Sequence, residues 1–281
     1  LIATSGVEET PAWAAHVPSL VYVADRLGES EIWLHDATGE DRPIVTEQDF
    51  PPGTTWRFLA PQLSPDGSRV IYLRVEADAT GAGTYGYLWM SSVAGGAPVR
   101  LTDGSTREVS GSWSPDGNAY VYKEVSREGK RAIKVARTSG QSAPSTLAIR
   151  MTDGPYSAFL PVWSPDASWV LYDDDGLKLI SVETGTVRDL KIEGALCTFA
   201  RDEPLLYCIT QFYDEARFAV VDFDGSERVV GSVARENRPA VGSGPALHLS
   251  LTPDGQGVTY SVNRNRARLL LVEGFDRVAL P

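Results

Sequence analysis

The chain has 281 residues, of which 42% are hydrophobic and 22% are charged, a composition typical of a globular protein that buries a core. Its 26 Lys and Arg against 37 Asp and Glu give a net charge of −11, which disfavours nucleic acid as a partner because it repels phosphates. No apolar run approaches the roughly 18 residues of a membrane helix, which argues against membrane insertion, and two cysteines are too few for a disulfide framework or a Cys-rich zinc site.

One repeated pattern organises the chain. Four segments share an apolar residue, Ser or Thr, Pro, Asp, usually Gly, and a Tyr six residues after the Asp; they are 62–72, 112–122, 162–172 and 250–260. Two degenerate copies stand at 12–22, without the Pro-Asp-Gly, and at 198–207, with one residue deleted. Pro-Asp-Gly between two apolar runs predicts a hairpin, since Pro presets φ, Asp bonds back to the backbone and Gly accepts positive φ.

Two further strands are expected after each hairpin. Third apolar stretches that end at a glycine occupy 31–39, 87–96, 132–140, 177–185, 218–225 and 268–274, and fourth short stretches occupy 43–46, 99–102, 149–152, 187–191 and 227–231. Four strands repeated six times predict an all-β fold, a six-bladed β-propeller with four-stranded antiparallel blades. The single domain spans 1–281, with repeat units at approximately 5–46, 47–102, 103–152, 153–191, 192–231 and 232–281.

These hairpins, with the strand that follows them, such as YLWM at 87–90, resemble the WD40-like (PD40) repeat of TolB-type six-bladed β-propellers. The resemblance covers nearly the whole chain and implies a disc with a central channel. It also implies two bacterial settings: a periplasmic partner-binding module, or a sensor-like carboxy-terminal region attached to protein kinases or winged-helix regulators. A periplasmic or extracytoplasmic location is therefore favoured. The start at Leu1, without an initiator Met or a signal peptide, is expected to be that of a mature or excised segment.

Closure of the ring has two candidate strands, residues 1–4 and residues 277–281. Residues 1–4 stand where every other fourth strand stands, just ahead of an innermost strand. We therefore expect residues 1–4 to close the last blade beside 268–273, leaving 277–281 as a tail.

The repeated polar and aromatic residues are interpreted as structural. A catalytic site needs different roles at different places, so an Asp that recurs once per unit indicates turn chemistry. These residues are Asp66, Asp116, Asp166, Asp202 and Asp254. The recurring rings are expected to pack between blades. They are Trp13, Trp113, Trp163, Tyr22, Tyr72, Tyr122, Tyr172, Tyr207 and Tyr260.

No catalytic or metal site stands out. The histidines His16, His35 and His248 show no metal-ligand spacing, and no G-x-S-x-G nucleophile elbow occurs. The acidic run 173–175 could attract calcium, but such a run is more typical of a solvated hairpin tip. We therefore predict a protein that is not an enzyme and uses no cofactor. The alternative is a lactonase-like or lyase-like propeller enzyme with a metal in its channel, which needs His, Asp, Glu or Asn converging from several innermost strands.

The two cysteines flank the fifth hairpin, so either a disulfide or two buried thiols is possible. If Phe199 pairs with Tyr207, as the repeat suggests, Cys208 faces Thr198 and the thiols point to opposite faces. That register favours two small buried hydrophobic residues over a disulfide.

Function is expected in the loops, because a propeller is a rigid scaffold for grafted sites. The connections that enter the innermost strands are rich in aromatic residues and Arg, the types that dominate binding hot spots. The candidates are Phe50, Trp56, Arg57, Phe58, Arg107, Tyr156, Phe159, Phe212 and Tyr213. The simpler interpretation is that these rings plug the channel mouth.

Four arginines are expected on the same face: Arg235, Arg238, Arg264 and Arg266. Guanidinium groups bind carboxylates bidentately, so this cluster indicates an acidic partner, whereas a solvated rim is the plainer interpretation. We predict a non-catalytic binding or sensor propeller that recognises a protein partner or a small anionic ligand at this channel mouth, with Trp56 or Phe58 partly exposed.

Overall fold

A computed structural model describes residues 7–26, 28–52, 57–77, 84–103, 106–126, 128–139, 144–150, 160–193, 195–210, 216–234, 239, 249–263 and 267–273. The first sheet contains β1 (Val7–Trp13), β2 (Leu20–Arg26), β3 (Glu29–His35) and β4 (Asp41–Val45). A single 3-10 turn at Glu47–Asp49 leads to the second sheet, with β5 (Arg57–Leu63), β6 (Arg69–Ala77), β7 (Thr84–Ser92) and β8 (Val99–Arg100).

The remaining sheets follow in chain order. The third contains β9 (Arg107–Trp113), β10 (Ala119–Val125), β11 (Arg131–Arg137) and β12 (Ser145–Arg150), and the fourth β13 (Val162–Trp163), β14 (Trp169–Asp173), β15 (Leu177–Ser181) and β16 (Val187–Asp189). The fifth contains β17 (Leu196–Phe199), β18 (Leu205–Thr210), β19 (Arg217–Asp222) and β20 (Glu227–Ser232). The last contains β21 (Ser250–Leu251), β22 (Gly257–Asn263) and β23 (Ala267–Glu273). In the part of the chain that the structure describes, no helix is long and apolar enough to cross a membrane.

Every sheet is an antiparallel meander of consecutive strands, which confirms the all-β propeller arrangement with four-stranded blades. The predicted number of such blades is wrong. The described residues form five four-stranded blades, not six, and the last sheet has three strands. Residues 1–4, expected to supply its outer strand, and residues 277–281, expected to be a tail, lie outside the described residues.

The hairpin between the first two strands has the same length in all six sheets. One residue at the end of each innermost strand, which we call the ring residue, pairs with the residue seven positions later in the chain. The ring residues and their partners are Trp13↔Leu20, Leu63↔Val70, Trp113↔Tyr120, Trp163↔Val170, Phe199↔Leu206 and Leu251↔Val258. The deletion predicted in the fifth unit is therefore absent, and that unit keeps the register of the others.

This register corrects the prediction for the cysteines. Cys197 pairs directly with Cys208, and Thr198, not Phe199, pairs with Tyr207. The two cysteines form a disulfide, with a Cα–Cα distance of 4.1 Å. The sequence alignment failed because it matched Tyr207 to the repeated Tyr, whereas equal hairpin lengths place Cys208 at that position.

The repeated Asp residues stabilise the hairpin turns, as predicted, in four of the units. The hydroxyl of Ser64 donates to Asp66 Oδ1 over 2.6 Å, and that oxygen also accepts the Ser68 N–H. These bonds, the Ser64 hydroxyl first, lower the pKa of Asp66 to about 2. The same hydroxyl-to-Asp bond recurs at Asp116, Asp166 and Asp254, at 2.5 to 2.6 Å. Asp202, in the fifth hairpin, accepts no hydrogen bond from a described residue.

The first three innermost strands share a β-bulge opposite the repeated Tyr. Pairing shifts between Glu9 and Ala12 in β1 and between Leu59 and Gln62 in β5, where Thr10 and Ala60 adopt φ of 52° and 49°. In β9 a Cβ on Gly111 would lie 1.8 Å from the Val121 carbonyl oxygen, so only glycine fits there. Such a bulge increases the local twist of these three strands.

The core lies mainly between neighbouring blades, as predicted for the repeated rings. Tyr22, Tyr72 and Tyr260 are fully buried, and the other repeated rings are buried or half-buried. The first and last sheets meet through hydrogen bonds from Trp13 N–H to Ser250 Oγ and from Thr10 N–H to Ser261 Oγ, each 2.8 Å long. These hydrogen bonds join the first sheet to the last. Residues 1–4, which we expect to close the last blade, lie outside the described residues.

Candidate functional site

A cavity of about 190 Å³ lies in the channel, where the innermost strands of all six sheets converge. The ring residues all line it: Trp13, Leu63, Trp113, Trp163, Phe199 and Leu251. They share one position in the repeat, so propeller symmetry turns each of them toward the axis. The result is an apolar ring that contains four aromatic side chains.

The cavity opens on the face that carries the first hairpin of every blade. Its lining includes the exposed turn residues Ala15, His16 and Pro165 at one end. At the other end it includes Leu160 and Leu249, which are only 1% and 2% exposed. We call this cavity, which extends from the turns to Leu160 and Leu249 within the channel, the cup.

Two of the three tryptophans of this ring are fixed by indole hydrogen bonds to a neighbouring sheet. Trp113 Nε1 donates to the Gln62 carbonyl oxygen over 2.9 Å, and Trp13 Nε1 donates to Thr259 Oγ1 over 2.8 Å. Arg69 stacks 4.8 Å from the centre of the Trp113 ring. Because these contacts cross between blades, they hold the indoles in place before any ligand arrives.

The third tryptophan differs. The backbone N–H of Trp163 donates to Ser112 Oγ over 2.9 Å, as that of Trp13 does to Ser250 Oγ. The Trp163 indole Nε1, however, is buried and meets no acceptor among the described residues. An indole can only donate, so this nitrogen is an unused donor beside the cavity.

Arg201 brings positive charge to the cavity. It follows Phe199 in the fifth hairpin, and its Nη2 donates to the carbonyl oxygens of Ala15 and Thr252 over 3.2 and 3.3 Å. These bonds join the fifth sheet to the first and last sheets. Arg201 Nε is buried and has no acceptor among the described residues. His16 is the only other ionisable side chain among the described residues that line the cavity, which include no carboxylate.

The cavity rim is acidic, in contrast to its interior. The turn carboxylates Asp66, Asp116, Asp166, Asp202 and Asp254 are all exposed on the hairpin face. Hydrogen bonds, chiefly from the Thr252 hydroxyl, lower the pKa of Asp254, and the charge of Arg201 adds to that effect. Turn hydrogen bonds also lower the pKa of Asp66, Asp116 and Asp166, so these three carboxylates and Asp254 carry negative charge at neutral pH. The described lining of the cavity has no carboxylate.

Two buried ionisable groups lie away from the cavity. Lys123 is 3% exposed; burial lowers its pKa to about 8, opposed mainly by the negative charge of Asp173. Lys123 thus interacts with Asp173 and Asp174 of the acidic run, and Lys178 donates to the Asp174 carbonyl oxygen. Glu108 is 2% exposed, and burial raises the pKa of its carboxyl to about 7. Its cross-strand partner is Glu124, a second carboxylate.

The loop residues predicted to bind are not seen together on one surface. Phe50 and Phe58 are 8% and 0% exposed and lie in the core between the first two blades. Of the two alternatives for a partly exposed ring, Phe58 is therefore excluded, and Trp56 stays a prediction. Arg57 is paired with Glu9, 2.5 Å away. Arg107 belongs to β9, but its side chain is not described. The others lie outside the described residues: Trp56, Tyr156, Phe159, Phe212, Tyr213, Arg235, Arg238, Arg264 and Arg266.

Sequence reasoning missed the cavity because it treated Trp13, Trp113 and Trp163 as packing residues only. They do pack, since Trp113 and Trp163 are 6% and 9% exposed, but they also face the axis. The sequence did contain a signal, namely the position of these residues at the end of the innermost strands. In a propeller, residues at that position point into the channel. Among the described residues, no group of three His, Cys, Asp or Glu side chains is placed to hold a metal ion.

The fold and this cup define a β-propeller with an aromatic, cation-bearing channel mouth. No family model matches the chain, and no curated protein gives a significant match. Among solved structures, the chain is similar to TolB from Acinetobacter baumannii, with a TM-score of 0.62 and 19% identity over 83% of this chain and 56% of that one. It is also similar to a putative TolB from Agrobacterium tumefaciens, with a TM-score of 0.63 and 16% identity over 96% of this chain and 92% of that one.

A prolyl endopeptidase is a third similar structure, with a TM-score of 0.60 and 15% identity over 96% of this chain and 41% of that one. The chain thus spans little more than half of the first TolB and less than half of the peptidase. At these identities the similarity shows a shared propeller fold. Function has to be argued from the cavity itself.

Proposed function

We propose that this chain is a non-catalytic binding propeller that takes a protein segment or a small ligand into the aromatic cup. The observation that carries the proposal is the convergence of Trp13, Trp113, Trp163 and Phe199 on one cavity. Apolar surface removed from water contributes about 25 cal/mol per Å², and a rigid aromatic wall loses little side-chain entropy when it binds. The similarity to TolB-type propellers is consistent with binding but does not identify the partner.

The size of the cup restricts what it can hold. Sites for drug-sized ligands typically measure about 300–1,000 Å³, and this cavity has about 190 Å³. It suits one or two residues of an extended segment, or a small molecule of similar size. The loop residues predicted for the opposite face stay a prediction, because most of them lie outside the described residues.

The enzyme alternative has less support. A lactonase-like or lyase-like site needs several ligands or acid–base groups that converge in the channel. The described lining offers one histidine and no carboxylate. The peptidase among the similar structures covers more than twice the length of this propeller, and its activity is not transferred to this chain.

A cavity-filling variant tests the proposal. Leu251 is half-buried and is the ring residue of the last sheet, where the first, third and fourth sheets carry Trp. Leu251→Trp should fill the cup with a side chain that the repeat already accommodates. The matched control is Val187→Trp, on the exposed outer strand β16 at a position that is 46% exposed.

A random peptide library panned against the immobilised protein provides the ligands. Peptides retained by the wild type should lose at least 10-fold in affinity for Leu251→Trp and bind Val187→Trp unchanged. The urea unfolding of each variant confirms that it is folded. If Leu251→Trp retains every ligand at wild-type affinity, the cup is not the binding site.

A further inference from the structure

Two buried hydrogen-bond donors beside the cup have no acceptor in the part of the chain that the structure describes. Trp163 is nine-tenths buried, and its Nε1 meets no described partner, whereas the equivalent nitrogens of Trp13 and Trp113 are satisfied. Arg201 Nε is likewise buried without an acceptor. Buried donors are nearly always paired, and neither an indole nor a guanidinium can accept. The missing group is therefore an acceptor.

The charge of the lining indicates what kind of acceptor is missing. Arg201 is the one permanently charged side chain among the described lining residues, and none of them is acidic. Its present hydrogen bonds, to Ala15 and Thr252, are long and go to neutral carbonyl groups. Arginine forms its strongest hydrogen bonds with carboxylates and phosphates. The nearby Asp254 is committed to its own turn, where Thr252 and Gln256 donate to it.

The rim limits the ligand further. The five exposed turn carboxylates repel any negative charge that remains at the opening. A single carboxylate beside Arg201, with its apolar group against the ring residues, brings the least negative charge to the rim, whereas a phosphate or a polyacidic segment would bring more. The ring residues then cover the apolar part.

We propose that the cup recognises a carboxylate attached to an apolar group, such as the carboxyl terminus of an extended peptide, with Arg201 and the Trp163 indole N–H as the donors that select it. This inference rests on the proposed function and specifies its ligand. Both nitrogens are covered in the structure, so binding requires a shift of the Arg201 and Trp163 side chains while the other ring residues stay in place.

Calorimetric titration with a matched pair of peptides tests the inference. The probes are acetyl-Gly-Pro-Leu as the free acid and as its carboxamide, which differ only in the charge and the acceptor capacity of the terminal group. The wild type should bind the acid at least 10-fold more tightly than the amide, because hydrogen bonds to charged groups are the stronger ones. 3-Phenylpropionate distinguishes the source: if it binds as tightly as the peptide acid, the ligand is a small carboxylic acid.

Two variants assign the donors. Arg201→Gln should bind the acid as weakly as the amide, and Trp163→Phe should weaken acid binding about 3- to 10-fold with little effect on the amide. The control is Arg188→Gln, which changes an arginine of the exposed outer strand β16 that stacks on Trp169, does not line the cavity and should preserve the acid-to-amide ratio.

Three results would overturn the inference: equal affinity of the wild type for acid and amide, an acid preference that survives in Arg201→Gln, or no binding of any of the three probes. The proposed function has a separate test. If library peptides without a free carboxylate bind the wild type and lose affinity for Leu251→Trp, the proposed function stands. Only the preference for a carboxylate is then refuted.

Discussion

Removing the Cys197–Cys208 disulfide should cost about 3 kcal/mol of unfolding free energy. The bond joins directly opposed residues of β17 and β18, at a sequence separation of 11. Closing a loop of about a dozen residues lowers the entropy of the unfolded chain by an amount worth about 3 kcal/mol at 25 °C. Both cysteines are fully buried in the largest hydrophobic cluster, so Cys197→Ala with Cys208→Ala also removes packing contacts and should not cost less.

Urea unfolding followed by tryptophan fluorescence measures this loss. The wild type serves as its own control, because added dithiothreitol should lower its unfolding midpoint toward that of the double variant and leave the variant unchanged. Titration of two free thiols in the denatured wild type, without any reductant, would refute the assigned register. So would a loss of stability below about 1 kcal/mol.

Glu108→Gln should remove a pH dependence of stability: the folded chain keeps the Glu108 proton up to a pKa of about 7, against 4.5 for an ordinary Glu. The free energy of unfolding of the wild type should therefore fall by about 3 kcal/mol as pH rises through this window. Urea midpoints from pH 4 to 8 measure this loss. Equal pH dependence of stability in the wild type and Glu108→Gln would contradict it. Gly111→Ala forces a Cβ against a carbonyl oxygen and should cost about 2 to 3 kcal/mol in urea unfolding. Gly231→Ala, where a Cβ meets open space, should be nearly neutral, and similar losses would rule out the clash. Trp113→Phe loses a hydrogen bond that Trp163→Phe does not, so in the same assay its loss should be about 1 kcal/mol greater; the reverse order would show that the Trp163 indole has a partner.

The propeller arrangement could be predicted because the hairpin signal is local. Ser64, Asp66 and Gly67 form a turn from their own hydrogen bonds and a φ of 72°, so their recurrence marks the innermost hairpins without any tertiary information. The count of complete blades failed at the last sheet, for which the structure describes three strands. The two stretches that could supply a fourth, 1–4 and 277–281, lie outside the described residues.

The site was harder to predict than the fold because exposure depends on neighbouring blades. Phe58 reads as a loop aromatic in the sequence, but β5 begins at Arg57 and turns Phe58 into the core, 5.6 Å from the Tyr72 ring. The cysteine register failed for a related reason: Tyr207 mimics the repeated Tyr, and only the pairing of whole strands shows that Cys208 stands there. A local sequence pattern predicts the strand to which a residue belongs. Whether its side chain is buried depends on residues of other strands and other blades.

The contacts between the first and last sheets also determine when the native fold can form during synthesis. The hydrogen bonds of Trp13 can form only after Ser250 and Thr259 have been synthesised, 237 and 246 residues further along the chain. At about 5 to 20 residues per second, a ribosome needs roughly 10 to 50 s to supply them. Throughout that interval the first blade is without its neighbour from the last sheet. The unpaired face of the first blade is thus exposed to aggregation until the last sheet has been synthesised.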